Sequence, residues 1–474
     1  MTATTPAPDL AHRVADRLRV EGPWEVLGER SRKFEVHLQG TSVELERGPI
    51  AVEGYGLRLF RRATDGMGVG FQASTDFSTE GVAAVLRDAE MTARYSRFPA
   101  SSVELPARGQ PAAQVPVVDP KLWDDPAGAL REYVSIVLAA FGGRPRVVPT
   151  FGSVRATLTE VSLANSSGLQ LTFPETRVDL ELGVKAFGGP EGAPPGEFWV
   201  TRQGRRLEPE LVSGSVDDWC GYAADVRRAV SPPSGDQAVV LPTEVLAGIL
   251  PDVLGFRFTG RARLRKLAPE PGTTVAPPHV NIRDEGDYPW GPGSGPYDDE
   301  GTPRQRHPLL QQGAVAGLLY DSLYASVFSS PPTGCAERSG YEVGAFRAWA
   351  DLRFPHRPVG RESTLVVAPG DGGTTEELVE AAREGILVTQ LGWARPEPYA
   401  GTFGGEIRIG YRIRGGKLAE PIRGGTVGGS VLGPPGSPSL LANTEAIGRK
   451  VELCHHLASP AFLVRPLSVA GSTA

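Results

Sequence analysis

The sequence predicts an α+β protein of two domains: an N-terminal α/β unit of sheet and helix over residues 1–230, and a C-terminal, mainly antiparallel, barrel-like β unit over residues 231–474. Three observations carry this expectation. Residues 24–60 alternate apolar and polar side chains, as in Phe34, Val36 and Leu38 and again in Val43 and Leu45, which is the two-residue period of a sheet with one wet face. Helix signals follow that stretch, so the strands gain packed helices. After a Pro/Ser/Gly break at Ser231-Pro232-Pro233-Ser234-Gly235, many short apolar stretches are separated by Gly-rich turns, which favours a closed or sandwich-like β architecture. With 474 residues, 40% of them hydrophobic, the chain is roughly two to three times the usual domain size and can bury a large core.

The elements can be placed in order. Residues 10–19 read as a short helix, and a meander of strands follows over 24–60. Gly66-Met67-Gly68 turns the chain into the next strand at 69–73. Ser78 or Thr79 can then cap a helix whose Val82, Val85, Leu86, Ala89 and Ala93 form one stripe. Asp125 as N-cap and Pro126 at the first helical position open a second helix, which carries Leu130, Val134, Val137 and Phe141 on one face and stops at Gly142-Gly143. Strands are expected at 154–163, 169–173 and 178–184. Beyond the break, residues 246–254 form an apolar segment, helical at least up to Pro251, and 268–296 form a long Pro/Gly/Asp-rich loop. Strand character returns at 314–320, 347–354, 404–413 and 462–469. Thr374 with Glu377 three residues on is a capping box that opens a helix through Arg383. The second half is thus expected to be mostly antiparallel sheet with two or so helices.

Composition excludes several functions. The formal net charge is −6, and the one locally basic stretch, 257–266, is short, so the footprint of a nucleic-acid binder is missing. Cys220, Cys335 and Cys454 are odd in number and far apart, which suits reduced thiols in a cytoplasm. Residues 1–10 show neither a basic region nor an apolar core of a leader, and no stretch approaches the ~18 apolar residues of a membrane span. A soluble, cytoplasmic protein is expected, with neither nucleic acid nor membrane as partner.

Catalytic options can be tested residue by residue. Zinc hydrolysis needs neutral imidazoles held close together with a carboxylate base. Of seven histidines only His455 and His456 are close, and neighbours on a strand point to opposite faces. Cys454-His455-His456 would need distant residues to complete a metal site, and reads otherwise as an ordinary segment end. No phosphate-binding G-x-x-x-x-G-K-[ST] loop is present, and the Gly-rich runs at 401–405 and 424–429 lie between strands, as turns do. Gly291-Pro292-Gly293-Ser294-Gly295 has the wrong spacing for a serine elbow and sits in a Pro-rich loop. Asp298-Asp299-Glu300 could bind a hard cation, but the following Gly301-Thr302-Pro303 suggests a turn, with a solvated carboxylate run as the plain reading.

The order of these features is more telling than any one of them. Tyr297-Asp298-Asp299-Glu300-Gly301-Thr302-Pro303, then Gly313-Ala314-Val315-Ala316-Gly317-Leu318-Leu319-Tyr320-Asp321, then Pro332-Thr333-Gly334 resembles the C-terminal half of TldD/TldE (PmbA) proteins, where "DDEGTP", "G-x-L-x-G-x-L-x-D" and "PTG" come in that order. Gly385-Ile386-Leu387-Val388-Thr389, Gly404-Gly405-Glu406-Ile407, Gly415-Gly416-Lys417 and Leu467-Ser468-Val469-Ala470-Gly471-Ser472 continue the likeness. Gly54-Tyr55-Gly56-Leu57-Arg58, Gly68-Val69-Gly70-Phe71 and Asn165-Ser166-Ser167-Gly168 extend it into the N-terminal half.

The resemblance implies a cytoplasmic metallopeptidase of two kinds of subunit, which cleaves flexible peptides with zinc held on the TldD side alone. TldD-type subunits carry an H-E-x-x-x-H helix, two His ligands and a general-base Glu, early in the C-terminal half. The matching stretch here is Thr243-Glu244-Val245-Leu246-Ala247-Gly248, with Thr243 and Gly248 where the imidazoles would be. Glu244 then reads as a helix N-terminal carboxylate favoured by the dipole. The C-terminal cysteine ligand of TldD is not carried over to Cys454, which lacks the glycine-rich context and lies too close to residues 467–472. On this reading no residue of this chain is catalytic, cofactor-binding or metal-ligating; the chain is a TldE-type subunit that completes the cleft of a zinc-bearing TldD-like partner. Two other classes remain open: a subunit of a related hydrolase acting on a small-molecule amide in a biosynthetic pathway, and a stand-alone binding protein, in line with the family's older "modulator of DNA gyrase" label.

Overall fold

The protein is described by a computed structural model over residues 9–144, 146–188, 194–339, 352–392, 394–434 and 437–472. Its N-terminal part runs α1 (Leu10–Ala15), β1 (Trp24–Gln39), β2 (Ser42–Ala63), β3 (Gly66–Ser74), α2 (Thr79–Ala93), β4 (Arg97–Phe98), α3 (Pro120–Asp124), α4 (Pro126–Ala140), β5 (Val147–Asn165), β6 (Gln170–Ala186), β7 (Gly196–Gly204) and α5 (Pro209–Val226). The seven strands form one sheet in the order β4-β3-β2-β1-β5-β6-β7, antiparallel at every pairing. Period-two patterning decides its two faces. Val36, Leu38, Val154, Ala156, Leu180, Leu182, Phe198 and Val200 are buried in one cluster with Leu130, Val134 and Val137 of α4 and Val216, Trp219 and Ala223 of α5. The alternate residues, among them Glu35, Arg155, Asp179 and Gln203, look the other way. At the far end α2 packs Val82, Val85 and Ala89 onto Tyr55, Leu57 and Leu59.

The C-terminal half begins with β8 (Gly235–Leu241), followed by α6 (Thr243–Ala247), α7 (Leu250–Arg257), α8 (Gly260–Leu264), α9 (Ser322–Phe328) and α10 (Thr375–Ala382). The strands β9 (Gly385–Leu391), β10 (Thr402–Arg414), β11 (Thr426–Ser430) and β12 (Phe462–Ala470) join β8 in a closed barrel. β8 pairs with β9 in parallel and with β12 antiparallel, β12 with β11, β11 with β10, and β10 back with β9. A barrel has no free edge, and its interior holds Val239, Leu241, Val388, Ile407 and Leu467. A second sheet of short strands includes the hairpin Glu452–Cys454/Leu457–Ser459. The mixed α+β architecture and the barrel are those expected from the sequence.

Several elements differ from expectation. Except for Leu169, the stretches expected at 169–173 and 178–184 belong to one continuous strand, β6, which runs through Pro174; β7 reaches only Val178, so at Pro174 β6 is an edge strand, where proline is tolerated. β7 and α5 escape sequence reading, α5 because its N-cap residue, Glu208, makes no side-chain capping bond. Pro251 does not end a helix but sits in the first turn of α7, where its missing N–H has no cost; the break falls at Gly248 and Ile249. Five helices, not two or so, occur in the described part of the second half. Strand at 314–320 shrinks to Ala314–Val315. Of the strand expected at 347–354, residues 347–351 lie outside the described residues and 352–354 are not strand.

The largest correction concerns Asp298-Asp299-Glu300. These carboxylates are not solvated: none is more than 1% exposed. Asp298 Oδ1 accepts the N–H groups of Glu300 at 3.0 Å and Thr302 at 2.9 Å, and its Oδ2 accepts that of Ala336 at 3.0 Å. Asp299 accepts the Arg338 N–H at 2.6 Å and an Arg353 guanidinium N–H at 3.0 Å. Glu300 takes the Arg58 guanidinium of β2 on one oxygen, and the N–H and hydroxyl of Ser322 at 2.8 and 2.7 Å on the other. Arg58 also donates to Glu25 of β1 at 2.9 Å, and Arg338 to Glu25 at 2.7 Å. The acidic turn is therefore a buried cross-link between the N-terminal sheet and the C-terminal half, its oxygens taken by donors rather than offered to a cation.

Candidate functional site

The alternate face of the sheet meets the C-terminal half around a cavity of about 350 Å³. One wall is β5 to β7, with Arg155, Asp179, Trp199, Thr201, Arg202 and Gln203; the other is α6 and the start of α7, β9, and the turn of the 452–459 hairpin. Local sequence explains the placement of α6. β8 ends at Leu241, Pro242 cannot continue the ladder, and the Thr243 hydroxyl donates to the Ser459 carbonyl at 2.7 Å, pinning the first turn of α6 to the hairpin. Glu244, in that first turn, lies at the positive end of the helix and reaches across the cleft to the Arg202 guanidinium of β7. Arg202 also donates to the Thr201 carbonyl at 2.9 Å and stands 5.8 Å from the Trp219 ring centre. Burial works against the Arg202 charge, but the facing Glu244 carboxylate outweighs it and raises its proton affinity.

The hairpin turn brings three further sequence candidates to this cavity. His455 has a left-handed backbone (φ 51°), so the three residues of Cys454-His455-His456 leave the turn in different directions. His455 Nδ1 is 3.2 Å from Gln203 Oε1 and its Nε2 3.5 Å from the Thr201 hydroxyl, whereas His456 Nδ1 is 3.0 Å from the Ser363 carbonyl. Burial, with help from the positive charges of Arg202 and Arg177, pushes His455 down to about 4. Burial pushes the Cys454 thiol up to about 12, Arg202 pulling against it. At neutral pH the Cys454 thiol and the His455 imidazole are therefore both neutral.

The structure thus unites Glu244, Gly248, Cys454, His455 and His456, which the sequence separates by some two hundred positions, around one cavity. It also adds Trp199, Arg202 and Gln203, which no motif marked because β7 had not been foreseen, and Gln390 of β9. The signal was present in part: Phe198, Val200 and Arg202 alternate with Trp199, Thr201 and Gln203, a short sheet period that the preceding proline- and glycine-rich stretch obscures.

The pattern of the PmbA/TldA metallopeptidase C-terminal domain family matches residues 234–471. The chain belongs to the PmbA/TldD family. Among its relatives, a metalloprotease TldD homolog of Haemophilus influenzae is 24% identical over 254 residues, 52% of this chain and 50% of that protein. A metalloprotease of Methanothermobacter thermautotrophicus is 26% identical over 342 residues, 70% of this chain and 68% of that protein. The match to the first of these relatives spans about half of its length. In fold, the chain is similar to the crystal structure of TldE from Thermococcus kodakarensis, with a TM-score of 0.76 at 18% identity, covering 98% of this chain and 99% of that one.

Zinc is the metal the family implies, and another relative is a zinc metalloprotease TldD homolog of Saccharolobus solfataricus. The residues here do not fit it. The Thr243 hydroxyl is given to the Ser459 carbonyl, Gly248 has no side chain, and Glu244 is held by Arg202. Among the described residues, no three His, Cys, Asp or Glu side chains gather closely enough to hold a metal ion.

Proposed function

We propose that this chain is the non-catalytic, metal-free subunit of a TldD/TldE-type peptidase, in which it shapes the substrate cleft of a zinc-bearing, TldD-like partner. The observation that carries this reading is the state of α6. At the positions where the resemblance puts two zinc ligands and a base, the chain has a hydroxyl bonded to a backbone carbonyl, a glycine, and a carboxylate paired with Arg202. Family membership and the names of the relatives, metalloproteases, support the peptidase setting. The division into domains at residues 230 and 231 is part of the same proposal. So is a cytoplasmic location, which the three cysteines, all buried and free, support.

The test is zinc and turnover measured together. Purified chain dialysed against zinc should carry well under one metal per chain and hydrolyse no flexible peptide. Mixed with a TldD-type subunit, it should raise that subunit's peptide turnover by orders of magnitude. One tightly held zinc per chain, lost on Cys454→Ala or His456→Ala, overturns the reading. Turnover confined to a small-molecule amide would replace the peptide by that substrate.

A further inference from the structure

β7 is the outer strand of the seven-stranded sheet, and its free side faces the cavity. In an antiparallel pair the backbone groups of alternate residues point toward the neighbour and away from it. Trp199 marks which set points away: its N–H donates to the Gln390 side-chain oxygen at 3.5 Å, and its carbonyl accepts the Gln390 side-chain N–H. By the two-residue period, the backbone groups of Thr201 and Gln203 also face outward. The Thr201 carbonyl is taken only by the neighbouring Arg202 side chain, at 2.9 Å, and its N–H has no partner among the described residues. An exposed strand edge is a template for pairing, and proteins ordinarily cover it with a helix, loop or charge. Here a cavity of about 350 Å³ stands in front of it instead.

We infer that the β7 edge from Trp199 to Gln203 is a docking strand for an extended peptide, and that the Gln390 side chain occupies the place of one residue of that ligand. The chemistry on the page selects this occupant. Gln390 offers an N–H and a C=O together to one residue of the edge, as one residue of an antiparallel strand does through its own N–H and C=O. The next outward residue lies roughly 6.8 Å further along, which is the repeat of the edge-facing residues of an added strand. Recognition through main-chain groups leaves side-chain identity free, in keeping with a ligand defined by flexibility rather than by sequence. The inference rests on the proposed function in one respect, that the ligand is a peptide.

Fluorescence anisotropy on the full chain tests it, with a fluorescein-labelled hexapeptide of alanine, serine and valine and two derivatives N-methylated at alternate residues. An added strand turns only one alternate set of N–H groups to the edge. One derivative should therefore bind roughly tenfold more weakly than the parent, and the other within about threefold of it. Equal affinities for all three peptides, or an equal loss in both derivatives, overturn the inference. Gln390→Ala should tighten binding of the parent severalfold by clearing the edge. Thr201→Pro removes an outward N–H without removing a bond to β6, and should weaken binding by roughly tenfold. Amide exchange on the unmutated chain gives a reading that needs no variant: the Trp199 and Thr201 amides should slow when the parent peptide is added, and bound peptide with no slowing there overturns the assignment. The proposed function fails separately. An edge that passes these tests in a chain that activates no zinc-bearing partner sinks the subunit reading alone, and activation without selectivity between the methylated peptides sinks the docking strand alone.

Discussion

The Glu244 carboxylate is turned onto the Arg202 guanidinium across the cleft, a contact that a neutral amide oxygen can keep as a hydrogen bond. Glu244→Gln should therefore keep kcat of the assembled peptidase within about threefold, whereas loss of a general base costs on the order of 10² or more; steady-state kinetics of the mixed subunits decides, and a hundredfold fall would make Glu244 catalytic. The buried carboxyl groups predict a pH dependence. Burial raises Asp284 and Asp321 to about 7 and Asp298 to about 8, with the nearby Glu362 charge adding to the effect at Asp284 and that of Glu300 at the other two. Their folded values exceed the unfolded one, so their contribution is complete below about 4 and is lost as pH rises through 7 to 8. Glu35 and Glu175 are held at about 2, despite burial, by Arg47 and Arg155 and by Arg353 and Arg205 respectively; their contribution is present above about 4.5 and is lost as pH falls toward 2. The melting temperature should accordingly fall between pH 5 and pH 8.5, and again below pH 4. A melting temperature that climbs steadily from pH 5 to pH 8.5 contradicts this. None of it was legible in Asp298-Asp299-Glu300 as letters. Three adjacent acids before Gly-Thr-Pro look like a wet turn, and only the distant arginines and backbone N–H groups that the fold delivers make their burial tolerable.

Between elements, close approach decides more than side-chain size. α2 lies so near β3 that a Cβ on Gly70 would stand 1.8 Å from the Ala89 carbonyl oxygen, and one on Gly68 2.3 Å from that of Ala93. Backbone atoms cannot rotate out of the way, so Gly70→Ala must push the helix off the sheet and open the cluster of Val82, Val85 and Ala89. A loss of about 2 kcal/mol or more is expected, read as a lower urea midpoint; an unchanged midpoint would mean that α2 is not docked in this way. The same elements show what a sequence discloses. α2, α4 and α10 were legible because Ser78, Asp125 and Thr374 bond to the first-turn N–H groups and because each helix carries one apolar stripe. α5 lacks such a cap, and α6 and α7 are buried on nearly all sides, so their apolar residues form a run rather than a stripe. That run invited the reading of Pro251 as an end when it is a beginning. The barrel was visible as a class, but its closure, with β8 lying parallel to β9, depends on pairings across more than a hundred residues that no local pattern encodes.

Across the whole molecule, family order was the strongest signal in the sequence, because the DDEGTP, G-x-L-x-G-x-L-x-D and PTG segments come together in the fold: the acidic turn bonds to residues just beyond each of the other two. Glu300 holds Ser322, directly after Asp321, and Asp298 holds Ala336, two residues after Gly334. The same cross-link ties the N-terminal sheet to the C-terminal half. On the proposed reading, a chain whose α6 carries neither of the expected zinc ligands acts through its surfaces, assembling a cleft with a second subunit. Permanent partnerships of this kind bury upwards of ~2,000 Å², enough to persist at micromolar concentration. The chain should therefore comigrate with a TldD-type subunit in gel filtration and sediment with it as one species at micromolar concentration, with the complex far more active than either part. If the TldD-type subunit is fully active alone and the two sediment separately, the chain is a stand-alone binding protein, and the cavity beside β7 is its binding site rather than one wall of a shared cleft.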